Sequence, residues 1–231
     1  MVALLLVCVP FYYLWRLFRL ERLWPRIFLS GIGVIAGLDV RIRGKPERNA
    51  LLIANHVSWL DIPALSLASG TAFVAHSGLA SVALIKHLCK MNDTVFVARH
   101  DRASVAEQVE QIRIAFVETG TLAIFPEGTT SDGTGVLPFK SSLLSAAEKL
   151  PDGTSIQPVL LAYDEAPDIA WVGEEHGVTN FLKILARVRP VGLTLEFLPP
   201  LTGAARENRK AIASAAQQSI EAALFAARRL P

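Results

Sequence analysis

Ala50-Leu51-Leu52-Ile53-Ala54-Asn55-His56-Val57-Ser58-Trp59-Leu60-Asp61-Ile62-Pro63 is the stretch that decides how this chain folds. Five apolar residues without a charge, followed at once by polar ones, read as a short strand buried on both faces. Pro63 is tolerated only in the first turn of a helix, so a helix begins near Asp61 and His56 lies in the loop before it. Strand, loop and helix in so few residues open an α/β unit. On one continuous helix His56 and Asp61, five residues apart, would point about 140° away from each other. With a loop between them they can meet, and a carboxylate on one ring nitrogen fixes the tautomer and leaves the other nitrogen free as a base. The same residues admit a plainer reading, in which Asp61 is an N-cap or Ser58-x-x-Asp61 a capping box and His56 is a polar loop residue.

Downstream the pattern repeats. Thr94–Ala98, Thr121–Phe125 and Ser155–Ala162 read as further buried strands, with Gly192–Leu198 a fifth. Val105, Val109, Ile112 and Phe116 recur at helical spacing before Gly120, and an alanine-rich helix closes the chain over residues 206–228. The fold expected is α/β, a mixed and mainly parallel sheet flanked by helices. In open α/β sheets ligands bind beyond the carboxyl ends of the strands. There the sequence places Asn55-His56, then Arg99, then Pro126-Glu127-Gly128-Thr129-Thr130. A glycine- and hydroxyl-rich loop of this kind presents backbone N–H groups to anionic oxygens, and a guanidinium at a strand end suits bidentate phosphate binding. Lys140 is a further candidate, or a solvated lysine at a helix start. No Gly-Lys-Ser/Thr follows the loop, no Gly-x-Ser-x-Gly elbow occurs, and no third ligand joins His56 and Asp61, so a P-loop, a serine nucleophile and a metal centre are not indicated.

Upstream the composition changes. Apolar residues make up 52% of the 231 and charged residues 19%, shifted toward what lipid contact requires. The first 50 residues hold eight Lys/Arg against three Asp/Glu. Arg16, Arg19, Arg22 and Arg26 would share a third of one helix, a stripe suited to anionic headgroups, and the leucines and aromatics between them argue against nucleic acid. Met1–Trp15 is apolar but short of a bilayer span and is interrupted by Pro10; a second apolar stretch runs from Ile27 to Leu38. A hairpin dipping into one leaflet and a single crossing fit equally well. No basic residue precedes the apolar run as in a cleavable signal, which places the chemistry on the cytoplasmic side. Gly31, Gly33 and Gly37 fit helix packing in lipid better than a dinucleotide loop. Arg41–Asn49 reads as a polar linker, giving a membrane-associating helical segment over 1–44 and a domain over 45–231. Cys8 and Cys89 have no framework spacing and suit a reducing compartment.

Together these residues resemble the glycerolipid acyltransferases that include the 1-acylglycerol-3-phosphate acyltransferases. Asn-His-x-Ser-x-x-Asp at Asn55–Asp61 matches that family's histidine–aspartate box, and Phe-Pro-Glu-Gly-Thr-Thr at Phe125–Thr130 its acceptor-binding box. Val95–Arg99 and Ile156–Val159 are similar to the second and fourth blocks, in the expected order over about 110 residues. The resemblance implies His56 as general base held by Asp61, and an acceptor pocket shaped by Arg99, Glu127, Gly128, Thr129 and Thr130, with Lys140 assisting. Backbone donors near the loop after His56 would meet the oxyanion. It implies acyl-coenzyme A or acyl carrier protein as co-substrate, no prosthetic group, and a lysophospholipid acceptor at the cytoplasmic face of the inner membrane. The first acceptor to expect is 1-acyl-sn-glycerol-3-phosphate; the segment around Trp171-Val172-Gly173 also resembles bacterial members that acylate lyso-ornithine lipids. A thioester hydrolase using the same pair on water, and a non-catalytic lipid-binding protein, are the rival classes.

Overall fold

The computed structural model describes residues 1–18, 23–76, 83–97 and 105–229; Arg19, Arg22 and Arg99 lie outside the described residues. Two helices lead, α1 (Val2–Arg16) and α2 (Leu23–Ile35). Seven strands come next: β1 (Leu38–Arg43), β2 (Ala50–Ala54), β3 (Ala72–His76), β4 (Val95–Val97), β5 (Thr121–Ile124), β6 (Ser155–Tyr163) and β7 (Val191–Phe197). They form one sheet in the order β1-β7-β6-β2-β5-β3-β4, parallel at every pairing except β6 with β7. Between and after them lie α3 (Asp61–Ser69), α4 (Ala83–Met91), α5 (Val105–Thr119), a 3₁₀ segment over Ser141–Lys149, α6 (Ala166–Ile169), α7 (Gly177–Leu185) and α8 (Arg209–Ala227). The mixed, mainly parallel sheet expected from the pattern is therefore present.

Ala50–Ala54 is buried at every position because both faces of the sheet are covered. Its residues alternate between two cores. Leu51 and Ile53 pack with Ile112 and Phe116 of α5 and with Ile212 and Ile220 of α8. Ala50, Leu52 and Ala54 pack on the opposite face with Leu65 of α3 and Ile184 of α7. Gly120 ends α5 at φ 73°, as its position in the sequence implies. The closing helix is shorter than expected: α8 starts at Arg209, because Asn208 accepts from the backbone N–H of Lys210 and Ala211, both at 3.0 Å.

Three expectations about the N-terminal part are corrected. First, Pro10 does not interrupt α1, which continues to Arg16; the proline removes one backbone bond, and packing against α2 holds the turn. The hairpin is antiparallel and close. Phe11 stacks on Trp24 at 4.8 Å, and a Cβ at Gly31 would come within 2.6 Å of Leu4 Cδ2. Second, the arginines do not share one helix: Arg16 ends α1, whereas Arg26 lies in α2 and donates to the carbonyl of Leu67 in α3 at 3.1 Å. Third, residues 38–43 are neither helix nor linker. They form β1, paired in parallel with β7 from Leu38↔Val191 to Arg43↔Glu196, so the helical segment ends at Ile35 and the sheet takes in residues ahead of position 44. Among the described residues no helix is long and apolar enough to cross a membrane.

Candidate active site

The carboxyl ends of β2, β5 and β6 meet at one edge of the sheet, and the site is assembled from the residues just beyond them. Asn55 makes the first turn out of β2. Its side chain takes the place of another ladder residue, donating to the carbonyl of Leu161 at 2.9 Å and accepting from the Leu161 N–H at 2.8 Å. The strand pair is thereby satisfied one step beyond Ala54↔Val159 while the backbone is released into a loop. His56 is the next residue.

His56 is fixed from four directions. Its Nδ1 lies 2.7 Å from Asp61 Oδ2, its N–H donates to Glu127 Oε1 at 2.8 Å, and its carbonyl accepts from the Ser131 N–H at 2.7 Å. Its ring stacks on Phe125, centroids 4.2 Å apart and planes 21° apart. The side chain is 22% exposed, and among the described residues Nε2 has no hydrogen-bond partner. One nitrogen is locked and the other faces outward, the arrangement a general base requires.

Asp61 is the first residue of α3 and is completely buried. It is not the N-cap. Leu60 holds that position with no side-chain cap. Instead, Asp61 Oδ2 accepts from the N–H groups of Val57 at 2.7 Å and Ser58 at 3.0 Å, while Oδ1 accepts from the Tyr163 hydroxyl at 2.6 Å. The carboxylate thus organises the whole loop that carries His56. In consequence the amides of Val57 and Ser58, directly after His56, are committed to Asp61 and are not among the backbone donors left open to an oxyanion.

Glu127 sits where β5 ends, but its role differs from lining a pocket. It is 1% exposed, and its two oxygens tie the His56 N–H to the Leu137 N–H, the latter at 3.1 Å. It is a strut between the two motif loops. Gly128, at φ 74°, turns the chain after it. Thr129 is exposed, and Thr130 donates from its hydroxyl to the carbonyl of Trp171, whose own N–H donates to the Val57 carbonyl. Lys140 is exposed at the start of the 3₁₀ segment, joined to the motif through its backbone N–H and the Pro126 carbonyl at 2.9 Å. Arg99 lies outside the described residues. His56, Asp61, Glu127 and Thr130 are brought together; Tyr163, Ser131 and Trp171 join them, although sequence reasoning does not single them out as contacts of the dyad.

A cavity of about 310 Å³ opens beside this loop. Cys8, Phe28 and Ile32 of the hairpin form one wall, Trp59 and Ile62 next to Asp61 another, and Phe181 of α7 a third; the lining is almost wholly apolar.

The acyltransferase family model matches residues 38–162, from β1 to the last residue but one of β6. The chain belongs to the acyltransferase family. It is 31% identical to the lyso-ornithine lipid O-acyltransferase of Brucella abortus, over 98% of this chain and 92% of that one. It is 32% identical to the 1-acyl-sn-glycerol-3-phosphate acyltransferase of Neisseria meningitidis, over 83% of this chain and 78% of that one. Its fold is that of the crystal structure of PlsC, the 1-acyl-sn-glycerophosphate acyltransferase of Thermotoga maritima, with a TM-score of 0.71, 21% identity, and coverage of 96% of this chain and 87% of that one.

In this acyltransferase the buried Glu127 carries an electrostatic load. Burial first, and then the charge of Asp61, raise its carboxyl from 4.5 to about 7, against the two backbone N–H groups that favour its ionised form. A carboxyl raised on folding binds more protons in the folded state between those two values. Its contribution to stability is therefore complete below about pH 4.5 and is lost as pH rises through about 7. Glu127→Gln removes that dependence. We expect wild-type stability, relative to the glutamine variant, to fall by on the order of 3 kcal/mol between pH 4.5 and 8 in urea titrations. A gap between the two proteins that does not change with pH would mean that folding leaves the carboxyl where it is in the unfolded chain.

Proposed function

We propose that this O-acyltransferase moves a fatty acyl chain from an acyl-coenzyme A or acyl carrier protein thioester to the free hydroxyl of a lysolipid, with a lyso-ornithine lipid as acceptor. The observation that carries the reaction is the His56–Asp61 pair, with Nδ1 held at 2.7 Å and Nε2 unpaired among the described residues. Nε2 takes the proton of the acceptor hydroxyl as that oxygen attacks the thioester carbonyl. Collapse of the tetrahedral intermediate breaks the carbon–sulfur bond, and the departing thiolate takes the proton back from the imidazolium. The general-base step is worth about 10²–10⁴ in rate. An alcohol is otherwise a weak nucleophile at neutral pH.

The apolar cavity beside Trp59 and Ile62 supports a lipid substrate, and the apolar hairpin supports a seat in one leaflet of the membrane, which we assign to the cytoplasmic side. The sequence alone puts 1-acyl-sn-glycerol-3-phosphate first. Similarity along nearly the whole chain to the Brucella abortus protein reverses that order. The phosphate acceptor stays as the second reading, favoured by the Neisseria meningitidis relative. Arg99 is the residue we assign to the acceptor's anionic group, and Thr129, Thr130 and Lys140 are assigned to the same acceptor.

The test offers the detergent-purified protein both donors against lyso-ornithine lipid and lysophosphatidic acid, and measures acylated lipid and free fatty acid separately. Acylated ornithine lipid formed well above phosphatidic acid supports the assignment. The reverse ratio establishes the second reading, free fatty acid alone a hydrolase, and no product with either donor a binding protein.

A further inference from the structure

We infer that Tyr163 is a positioning residue for the catalytic pair, acting on His56 through Asp61. The inference rests on the general-base reading of His56. Tyr163 is the last residue of β6, and its ring packs in the core on the α3 side of the sheet. Its hydroxyl donates to Asp61 Oδ1 at 2.6 Å. Among the described residues, two side chains reach this carboxylate, and they take different oxygens: His56 uses Oδ2 and Tyr163 uses Oδ1.

That division gives the hydroxyl its work. Oδ2 already accepts three bonds, from His56, Val57 and Ser58, and these three fix where that oxygen sits. They leave the carboxylate plane free to turn about the line through it. The Tyr163 bond on the second oxygen stops that rotation, and with it the tilt of the imidazole. Without it Oδ1 would be a fully buried acceptor with no partner.

The second effect is on charge. A strong donor on Oδ1 draws negative charge away from Oδ2 and limits how tightly the carboxylate holds the imidazolium. Burial, followed by the charge of Asp61, pushes the Tyr163 hydroxyl well above its ordinary range, so it remains a donor at any working pH. Among the described residues the titratable groups facing Asp61 are His56 from the loop, Glu127 from the end of β5 and Tyr163 from β6.

Tyr163→Phe keeps the ring and its packing and removes only the donor. We expect kcat to fall about 10- to 100-fold with KM unchanged, the scale of one hydrogen bond to a charged group. We also expect the acid limb of the kcat/KM profile to move to higher pH, because the unshielded carboxylate holds the proton on the imidazole longer. Thermal unfolding of each protein and His56→Ala in the same assay accompany the measurement. Wild-type transfer abolished by His56→Ala establishes the reading on which the inference stands. A Tyr163→Phe profile that superimposes on wild type overturns the positioning role. So does a loss of kcat that keeps the wild-type acid limb and comes with raised KM and a lowered unfolding temperature, which would make the hydroxyl a structural bond.

Discussion

Replacing His56 with alanine lowers kcat/KM by about 10³ or more and leaves a folded protein. The first half rests on chemistry, since no other described side chain offers an unpaired base at this point in the site and the acceptor hydroxyl must lose its proton during attack. The second half rests on the hydrogen bonds. Asp61 loses one donor but keeps the N–H groups of Val57 and Ser58 and the hydroxyl of Tyr163, so its charge stays solvated by the protein. The Glu127 and Ser131 contacts to residue 56 are made by backbone and survive the substitution. The ring itself leaves a gap over Phe125 that opens to solvent. Product assays alongside thermal unfolding check both halves. Transfer near the wild-type rate in a folded variant would remove His56 from the mechanism.

Asp61→Asn should cost almost as much, about 10³ in kcat, with little change in KM. The amide oxygen can accept from Val57 and Ser58 as the carboxylate does, while the NH₂ turns toward Tyr163, whose oxygen can accept. The loop geometry survives and the amide oxygen still accepts from His56 Nδ1, but the imidazolium that forms during attack loses its counter-charge. Alanine at the same position is a poor probe. It strands the Val57 and Ser58 amides and the Tyr163 hydroxyl, each at about 1–3 kcal/mol, and unfolding would mask the chemistry. Single-turnover rates with the asparagine variant decide the point: a rate within tenfold of wild type would reduce Asp61 to a scaffold for the loop.

Much of this site is legible in the sequence because local rules and tertiary structure agree there. The apolar run at Ala50–Ala54 and the proline at Pro63 bracket the loop, and that bracket alone brings His56 and Asp61 within reach. For Glu127 the sequence marks the place but not the role. Four apolar residues followed by Pro-Glu-Gly signal a strand end, yet nothing local says that the carboxylate turns inward to two amides, one of them 71 residues away. Tyr163 escapes the sequence reading by one position. The rule that flags residues at strand ends applies equally to β6, but the apolar run reads as ending at Ala162, and a tyrosine beyond such a run looks like more core. β1 and β3 are hidden for different reasons. Leu38–Arg43 alternates apolar with charged residues because β1 is an edge strand, and Arg41 pairs with Asp164. Ala72–His76 is only five residues long, and the Ser69-Gly70 and Ser77-Gly78 pairs that bracket it in sequence mark turns without saying that a strand lies between them.

The pairing of β1 with β7 sets an order of events as the chain is made. Leu38–Arg43 finds its partner only in Val191–Glu196, about 150 residues later. The hairpin ahead of it, Val2–Ile35, needs nothing so remote to form, since its contacts from Leu4 to Gly31 and from Phe11 to Trp24 are short in sequence. The nascent protein therefore completes its first element early and must then hold an unmatched strand through the synthesis of the catalytic loops. Closing the sheet is a late, long-loop event, slow by nature and exposed to mispairing until it happens.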